Sequence, residues 1–221
     1  MKRLALAALL MLAACRSQPA TPSDVLVVAL ANAPTNLDPG VGLDEASQKL
    51  HQLLYQSLLK IDANLKVVPD LAVRFETTDR ATYIAEIPGG VRFHDGREMT
   101  SADVAFTFRR FLDPAFTSAR KGAYAALKDV EILDARTVAF HLKAPSASFP
   151  VNLIMGIVPV GTGPATARAP IGSGPYAVSE FVPDDHVTLR PFRDVYGGPP
   201  ANGGLLFKVV PARRPSGVAS A

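Results

Sequence analysis

Pro88-Gly89-Gly90-Val91-Arg92-Phe93-His94-Asp95-Gly96-Arg97-Glu98-Met99-Thr100-Ser101-Ala102-Asp103-Val104 joins a turn to the start of a helix. Asp95-Gly96 is a strong turn signal, so His94-Asp95-Gly96 reads as a turn rather than as part of an acid-base pair. Thr100 stands where a hydroxyl can cap a helix, and Asp103, three residues on, can return to the cap as in a capping box. Val104, Phe108 and Phe111 then share one helical face. Asp113-Pro114 should end the helix, because the residue before proline is pushed out of helical geometry, and this predicts a helix of about twelve residues.

Upstream, Val25–Leu30 is a short apolar run rich in β-branched residues between Asp24 and Asn32-Ala33-Pro34, and it reads as a buried strand. Leu43–Leu59 carries Ala46, Leu50, Leu53, Leu54 and Leu58 at helical spacing behind Asp44 and Glu45, which predicts an amphipathic helix. Val73–Glu76 and Thr82–Ile87 form the arms of one hairpin. Val130 and Ile132, with Val138, Phe140 and Leu142, form those of a second around Asp134-Ala135-Arg136. The segment from Val160 to Pro170 lacks periodicity and reads as a loop. Tyr176–Phe181, His186–Pro191 and Leu205–Val210 are strands, with Asp184 and Asp185 at a solvated hairpin tip. The fold class is mixed α and β (α+β), with much antiparallel pairing.

The chain has 221 residues, of which 48% are hydrophobic, enough for a packed core. A net charge of +3 on scattered basic residues gives no footprint for nucleic acid. Met1-Lys2-Arg3, the apolar run Leu4–Leu12 and the small residues before Cys15 form an export signal, with an apolar run too short to span a bilayer. Residues 1–14 are read as the signal peptide and residues 15–23, rich in Pro, Ser and Thr, as a flexible tether. Leu12-Ala13-Ala14-Cys15 resembles a bacterial lipobox, which implies lipidation at Cys15 and anchoring to the membrane. Cys15 is the sole cysteine, so neither a disulfide nor a cysteine-metal site is expected.

No motif for catalysis emerges. Gly161-Thr162-Gly163 and Gly172-Ser173-Gly174 continue into neither a phosphate loop nor a dinucleotide fingerprint, and Ser173 is not in a nucleophile elbow. His51, His94, His141 and His186 form no i, i+4 pair, and no metal or other cofactor is expected.

As a set, these motifs are familiar. Pro88–Val104 resembles the signature segment of family 5 extracellular solute-binding proteins, the peptide, dipeptide and nickel type of ABC-importer receptors. Asn36-Leu37-Asp38-Pro39, Pro170-Ile171-Gly172-Ser173-Gly174-Pro175-Tyr176 and Asp194-Val195-Tyr196-Gly197-Gly198 resemble further elements in the family's order, so the likeness runs from about Val25 to Pro211. It implies the first lobe of a two-lobed, type II periplasmic-binding-protein-like fold over residues 24–211. Residues 24–44 and 171–211 would share a sheet, and residues 45–170 would form an inserted subdomain. The second lobe is expected to be absent. Two departures stand out: the chain is short between Pro159 and Pro170, and residues 212–221 form an irregular tail like an out-of-frame or fragment end.

The resemblance further implies a non-enzymatic, lipid-anchored substrate-binding component of an ABC importer, periplasmic or extracytoplasmic. It would bind an oligopeptide or similar small solute and pass it to an ABC permease, with function impaired if one lobe stands alone. Its expected ligand-binding residues are Asn32, Ala33, Pro34 and Thr35, in the loop after the first strand, and Tyr124, an aromatic facing the cleft. The alternatives are an envelope lipoprotein without a transport role and a lipid-anchored hydrolase.

Overall fold

A computed structural model of the chain describes residues 24–210; the signal segment, Cys15, the tether and the tail 212–221 lie outside the described residues. Two sheet-and-helix bodies are stacked through a shared seam.

In the first body, β1 (Val25–Leu30) runs parallel to β10 (Gly204–Val209). Antiparallel pairing then continues through β9 (His186–Pro191) to β8 (Tyr176–Val182), giving the order β1-β10-β9-β8. Helix α1 (Glu45–Leu54) lays Ala46, Leu50 and Leu54 on this sheet with Leu30, Val187, Leu189, Leu205 and Phe207. Thus α1, assigned from sequence to the inserted part, packs its core face on the sheet instead. Asp44 caps it by accepting the Ser47 N–H at 2.8 Å.

The second body contains the sheet β4 (Arg74–Thr77), β5 (Thr82–Glu86), β7 (Thr137–Leu142) and β6 (Leu127–Ile132), in the order β4-β5-β7-β6. Helix α2 (Ser101–Arg109) lies over it. Phe108 meets Phe140 edge to face at 5.0 Å, and Val104, Phe108 and Phe111 join one core with Val91, Phe93 and Met99. Those last three belong to the signature segment, which doubles back as a tight turn: the Phe93 N–H donates to Arg97 O and the Met99 N–H to Val91 O, with Gly96 at φ 87°. Asp103 accepts the Thr100 N–H at 2.9 Å and also the Val160 N–H at 2.9 Å. The cap that starts α2 therefore also pins the distant 160 segment.

Four sequence expectations change in detail. The strand at Val25–Leu30 forms but is not buried: Leu26 and Val27 are 57% and 56% exposed, because β1 is an edge strand and the α1 core reaches only Leu30. Helix α1 stops at Leu54 rather than Leu59. The Gly174 N–H takes the Leu54 carbonyl at 2.9 Å, and the chain turns off into β2 (Leu59–Ile61). Helix α2 ends at Arg109, short of Asp113, as its hydrogen bonds tighten to i−3 in the pairs Phe111 to Phe108 and Leu112 to Arg109. The loop before Pro170 contains a short 3-10 helix, Pro164–Ala167.

A small hairpin of β2 and β3 (Val67–Pro69) had no legible sequence pattern, since three-residue arms are too short to show alternation. Its turn is held by Asp62, whose Oδ1 accepts the N–H groups of Asn64 and Lys66.

The seam between the bodies closes on Gly172 and Gly174. A Cβ at Gly172 would lie 1.9 Å from Leu54 O, and one at Gly174 would lie 2.5 Å from Leu53 O. Gly172→Ala should therefore lower stability in urea unfolding by about 1–3 kcal/mol or more. Gly122→Ala, which would meet nothing within 4 Å, should leave the midpoint nearly unchanged. Equal effects of the two substitutions would refute the close-approach account.

Candidate functional site

Above the seam, a cavity of about 330 Å³ opens between the outer face of α1 and two 3-10 helices, Ala119–Tyr124 and Phe149–Ile154. Gln48, His51 and Gln52 line one side, Arg120, Tyr124 and Asn152 the other, with Pro39 and Met155 among its apolar walls. A second cavity of about 380 Å³ shares His51, Gln52, Ile154 and Gly156 with it and reaches the Lys60–Asp70 ion pair. The two form one continuous groove along α1.

The groove stands where it does because the motif Asn36-Leu37-Asp38-Pro39 is bolted to the end of α2. Arg110 grips Asp38 with two bonds, Nη1 to Oδ2 at 2.8 Å and Nη2 to Oδ1 at 3.1 Å, and both side chains are more than nine-tenths buried. The guanidinium lies over Phe116 at 4.7 Å, which suits a desolvated cation. Pro39, the next residue, is thereby placed in the cavity wall. The Ser118 hydroxyl donates to Gly40 O, and this holds the start of the 3-10 helix that carries Arg120 and Tyr124.

Two histidines are set into this frame. The His94 N–H donates to Gly172 O at 2.7 Å, and its ring Nδ1 accepts the Gly172 N–H at 3.2 Å. That leaves Nε2 as the donor to Gly174 O at 3.0 Å, so bonding selects the neutral tautomer. His51 donates from Nε2 to Asn36 O at 3.2 Å. Burial pushes His51 down to about 4, with the nearby Arg120 charge acting in the same direction, and burial also lowers His94. His94, read from sequence as a turn residue only, is in fact a clasp between the signature segment and the glycine strap.

The residues expected to meet ligand do not converge. Asn32 and Thr35 are exposed, Ala33 is half-buried and Pro34 is buried; none of the four lines this cavity. The Thr35 hydroxyl is engaged by Asp44 and its N–H by Ser47 Oγ at 3.1 Å, so it serves the start of α1. Tyr124 is 3% exposed, stacked on Phe111 at 4.1 Å with its hydroxyl donating to Asn152 O at 2.9 Å; only part of it reaches the cavity wall. His51, Gln52, Arg120 and Asn152 were not singled out as site residues. The polar side of α1 at Gln48 and Gln52 was a usable signal, whereas nothing local marks Arg120. No cluster of three or more residues suited to a metal ion occurs among the described residues.

The pattern of bacterial extracellular solute-binding proteins, family 5 Middle, matches residues 66–219. The chain belongs to this family. The oligopeptide-binding protein AppA of Bacillus subtilis (strain 168) is 32% identical over 200 residues, covering 84% of this chain and 37% of AppA. The glutathione-binding protein GsiB of Escherichia coli (strain K12) is 29% identical over 176 residues, covering 76% of this chain and 34% of GsiB. The solved structure of AppA in complex with a nonapeptide matches with a TM-score of 0.80 at 31% identity, covering 84% of this chain and 40% of that one. The fold is that of solute-binding proteins. The chain spans little more than a third of the length of these curated relatives, and the family match continues past Pro211, where the motif resemblance was placed to end. These relatives are binding proteins rather than enzymes.

The buried histidines predict an acid-sensitive fold. With folded pKa values below the unfolded value, the unfolded chain binds more protons between about pH 6.5 and about 4, so stability is full at neutral pH and falls as pH drops through that window. His186, raised by hydrogen bonds to Asp185 and Glu180, contributes in the opposite sense, its stabilisation being lost as pH rises. Urea midpoints should fall on acidification, and His51→Gln should flatten that fall, reducing the stability lost across the window by roughly 1.4 kcal/mol per unit of pKa shift removed. An unchanged slope in that variant would show that His51 titrates normally.

Proposed function

We propose that this chain supplies one wall of the ligand site of an ABC-importer receptor that captures oligopeptides or similar small solutes and delivers them to a membrane permease. The observation that carries this reading is the polar groove along α1, with Gln48, His51 and Gln52 facing Arg120 and Asn152, in a fold whose relatives AppA and GsiB are named for binding oligopeptide and glutathione. Few placed polar groups on an otherwise apolar concave surface are what small-solute recognition requires. Asn32 to Thr35 would form the rim beyond β1, and Tyr124 the floor. Since the groove opens to solvent, it encloses a ligand only in part, and affinity from this wall alone should be weak, about millimolar. Calorimetric titration of the chain with short peptides tests this: saturable heats are expected, and no heat with any peptide in the millimolar range would sink the receptor reading.

We further propose that Leu12-Ala13-Ala14-Cys15 directs lipidation at Cys15 and anchors the protein outside the cytoplasm. Cys15→Ser should leave a precursor that is uncleaved or released from the membrane, read by fractionation and mass spectrometry of the N-terminus. A mature wild-type N-terminus lacking acyl chains would overturn the anchor.

A further inference from the structure

The described residues form two four-stranded sheets, and every edge strand of these sheets except β1 carries a feature that discourages pairing with another chain. β8 has a register shift between Val178 and Glu180 and an exposed carboxylate at Glu180. β6 has a register shift between Leu127 and Asp129, with Lys128, Asp129 and Glu131 exposed. β4 presents the charged side chains of Arg74 and Glu76. In contrast β1, with the sequence VLVVAL, has no charge, no proline and an unbroken register on β10, and Leu26 to Ala29 are all exposed.

The direction of its backbone shows what this edge can accept. The Val210 N–H donates to Leu30 O at 2.8 Å, so Leu30 turns its carbonyl toward β10, and by strand alternation so do Leu26 and Val28. The N–H and C=O groups of Val25, Val27 and Ala29 therefore face the open edge, where no strand of the described residues meets them. This edge is symmetrical about Val27. Laid antiparallel against a second copy with Val27 opposite Val27, it sets Val25 opposite the second copy's Ala29 and the reverse, and every outward donor meets an outward acceptor. On the face that holds Leu30 in the core, Leu26 comes opposite the second copy's Val28, so two exposed apolar side chains cover one another. The flanking segments of the chain are poor occupants: residues 15–23 hold Pro19 and Pro22, residues 211–221 hold Pro211 and Pro215, and proline supplies no donor to a ladder.

We propose that β1 is an interface between two copies of this chain, which pair antiparallel about a twofold axis at Val27 and join their four-stranded sheets into one. A single strand pair buries less than about 1,200 Å², the range of transient complexes, so the dimer should form with a dissociation constant of roughly 10 to 100 micromolar. Pairing at β1 requires nothing of the groove along α1.

The test follows the 221-residue chain by sedimentation over a dilution series and by amide hydrogen exchange. A dimer is expected at high concentration. On dilution the Val25, Val27 and Ala29 amides should lose protection by roughly 10-fold, while those of Leu26 and Val28, directed at β10, keep theirs. Val27→Lys should weaken the dimer by roughly 10-fold or more with an unchanged urea midpoint. In a Cys15→Ser background, Val27→Cys should form a disulfide between copies under mild oxidation, since facing Cα atoms about 5.5 Å apart allow it, whereas Val25→Cys should not. A monomer at every concentration, a dimer insensitive to Val27→Lys, or equal cross-linking at positions 25 and 27 would overturn the interface. Edge amides protected in a monomer would show that another segment of the same chain covers β1, and would overturn it as well. Because sedimentation and exchange are read on the unsubstituted chain, the test stands even if a variant fails to fold.

Discussion

The buried fork between Asp38 and Arg110 is the constraint from which the working face of this molecule follows. It joins the segment after the first strand to the end of α2 across 72 residues of sequence, at 2.8 and 3.1 Å, with both charges out of water. Breaking such a pair strands an uncompensated charge and costs more than the intact pair contributes, so the geometry is enforced rather than merely favoured. Pro39, Gly40 and Gly42 are positioned as a result, and through Ser118 so is the 3-10 helix that brings Arg120 opposite α1.

A second set of contacts acts on the same seam without charge. Gly172 and Gly174 lie so close to the end of α1 that no side chain fits, and the freed backbone groups bond Leu54 O and the His94 ring. Hydrogen-bond satisfaction then fixes His94 as neutral, since Nδ1 must accept and Nε2 must donate. The signature turn, the glycine strap and the last turn of α1 therefore form one unit. The two bodies are held together there by close backbone packing and hydrogen bonds.

The two arginines near the post-strand segment differ in their surroundings. Arg110, lying between two aromatic rings, spends both terminal nitrogens on Asp38. Arg120, a few residues on, has the same chemistry but faces an open cavity without a carboxylate.

Local pattern by itself determined the strands of the two four-stranded sheets, their hairpins, α2 and its Thr100 start, but not the short β2–β3 hairpin, because the former rest on rules of alternation, capping and turn chemistry acting within a few residues. The ordered motifs likewise determined the family. Element ends were less legible: α1 stops early because a backbone group from residue 174 claims its last carbonyl, a long-range event that no local pattern encodes. The burial of β1 was misread for a related reason, since apolar composition specifies a strand but not whether it lies at a sheet's edge. The groove itself was decided only by tertiary structure. Its lining residues come from four separate segments, around residues 39, 48–52, 120–124 and 151–156, and only the fold shows that Asp38 is engaged by Arg110 and does not face this groove. Charge pairing is a property of three-dimensional neighbours, and sequence lists the charges without saying which are left unpaired.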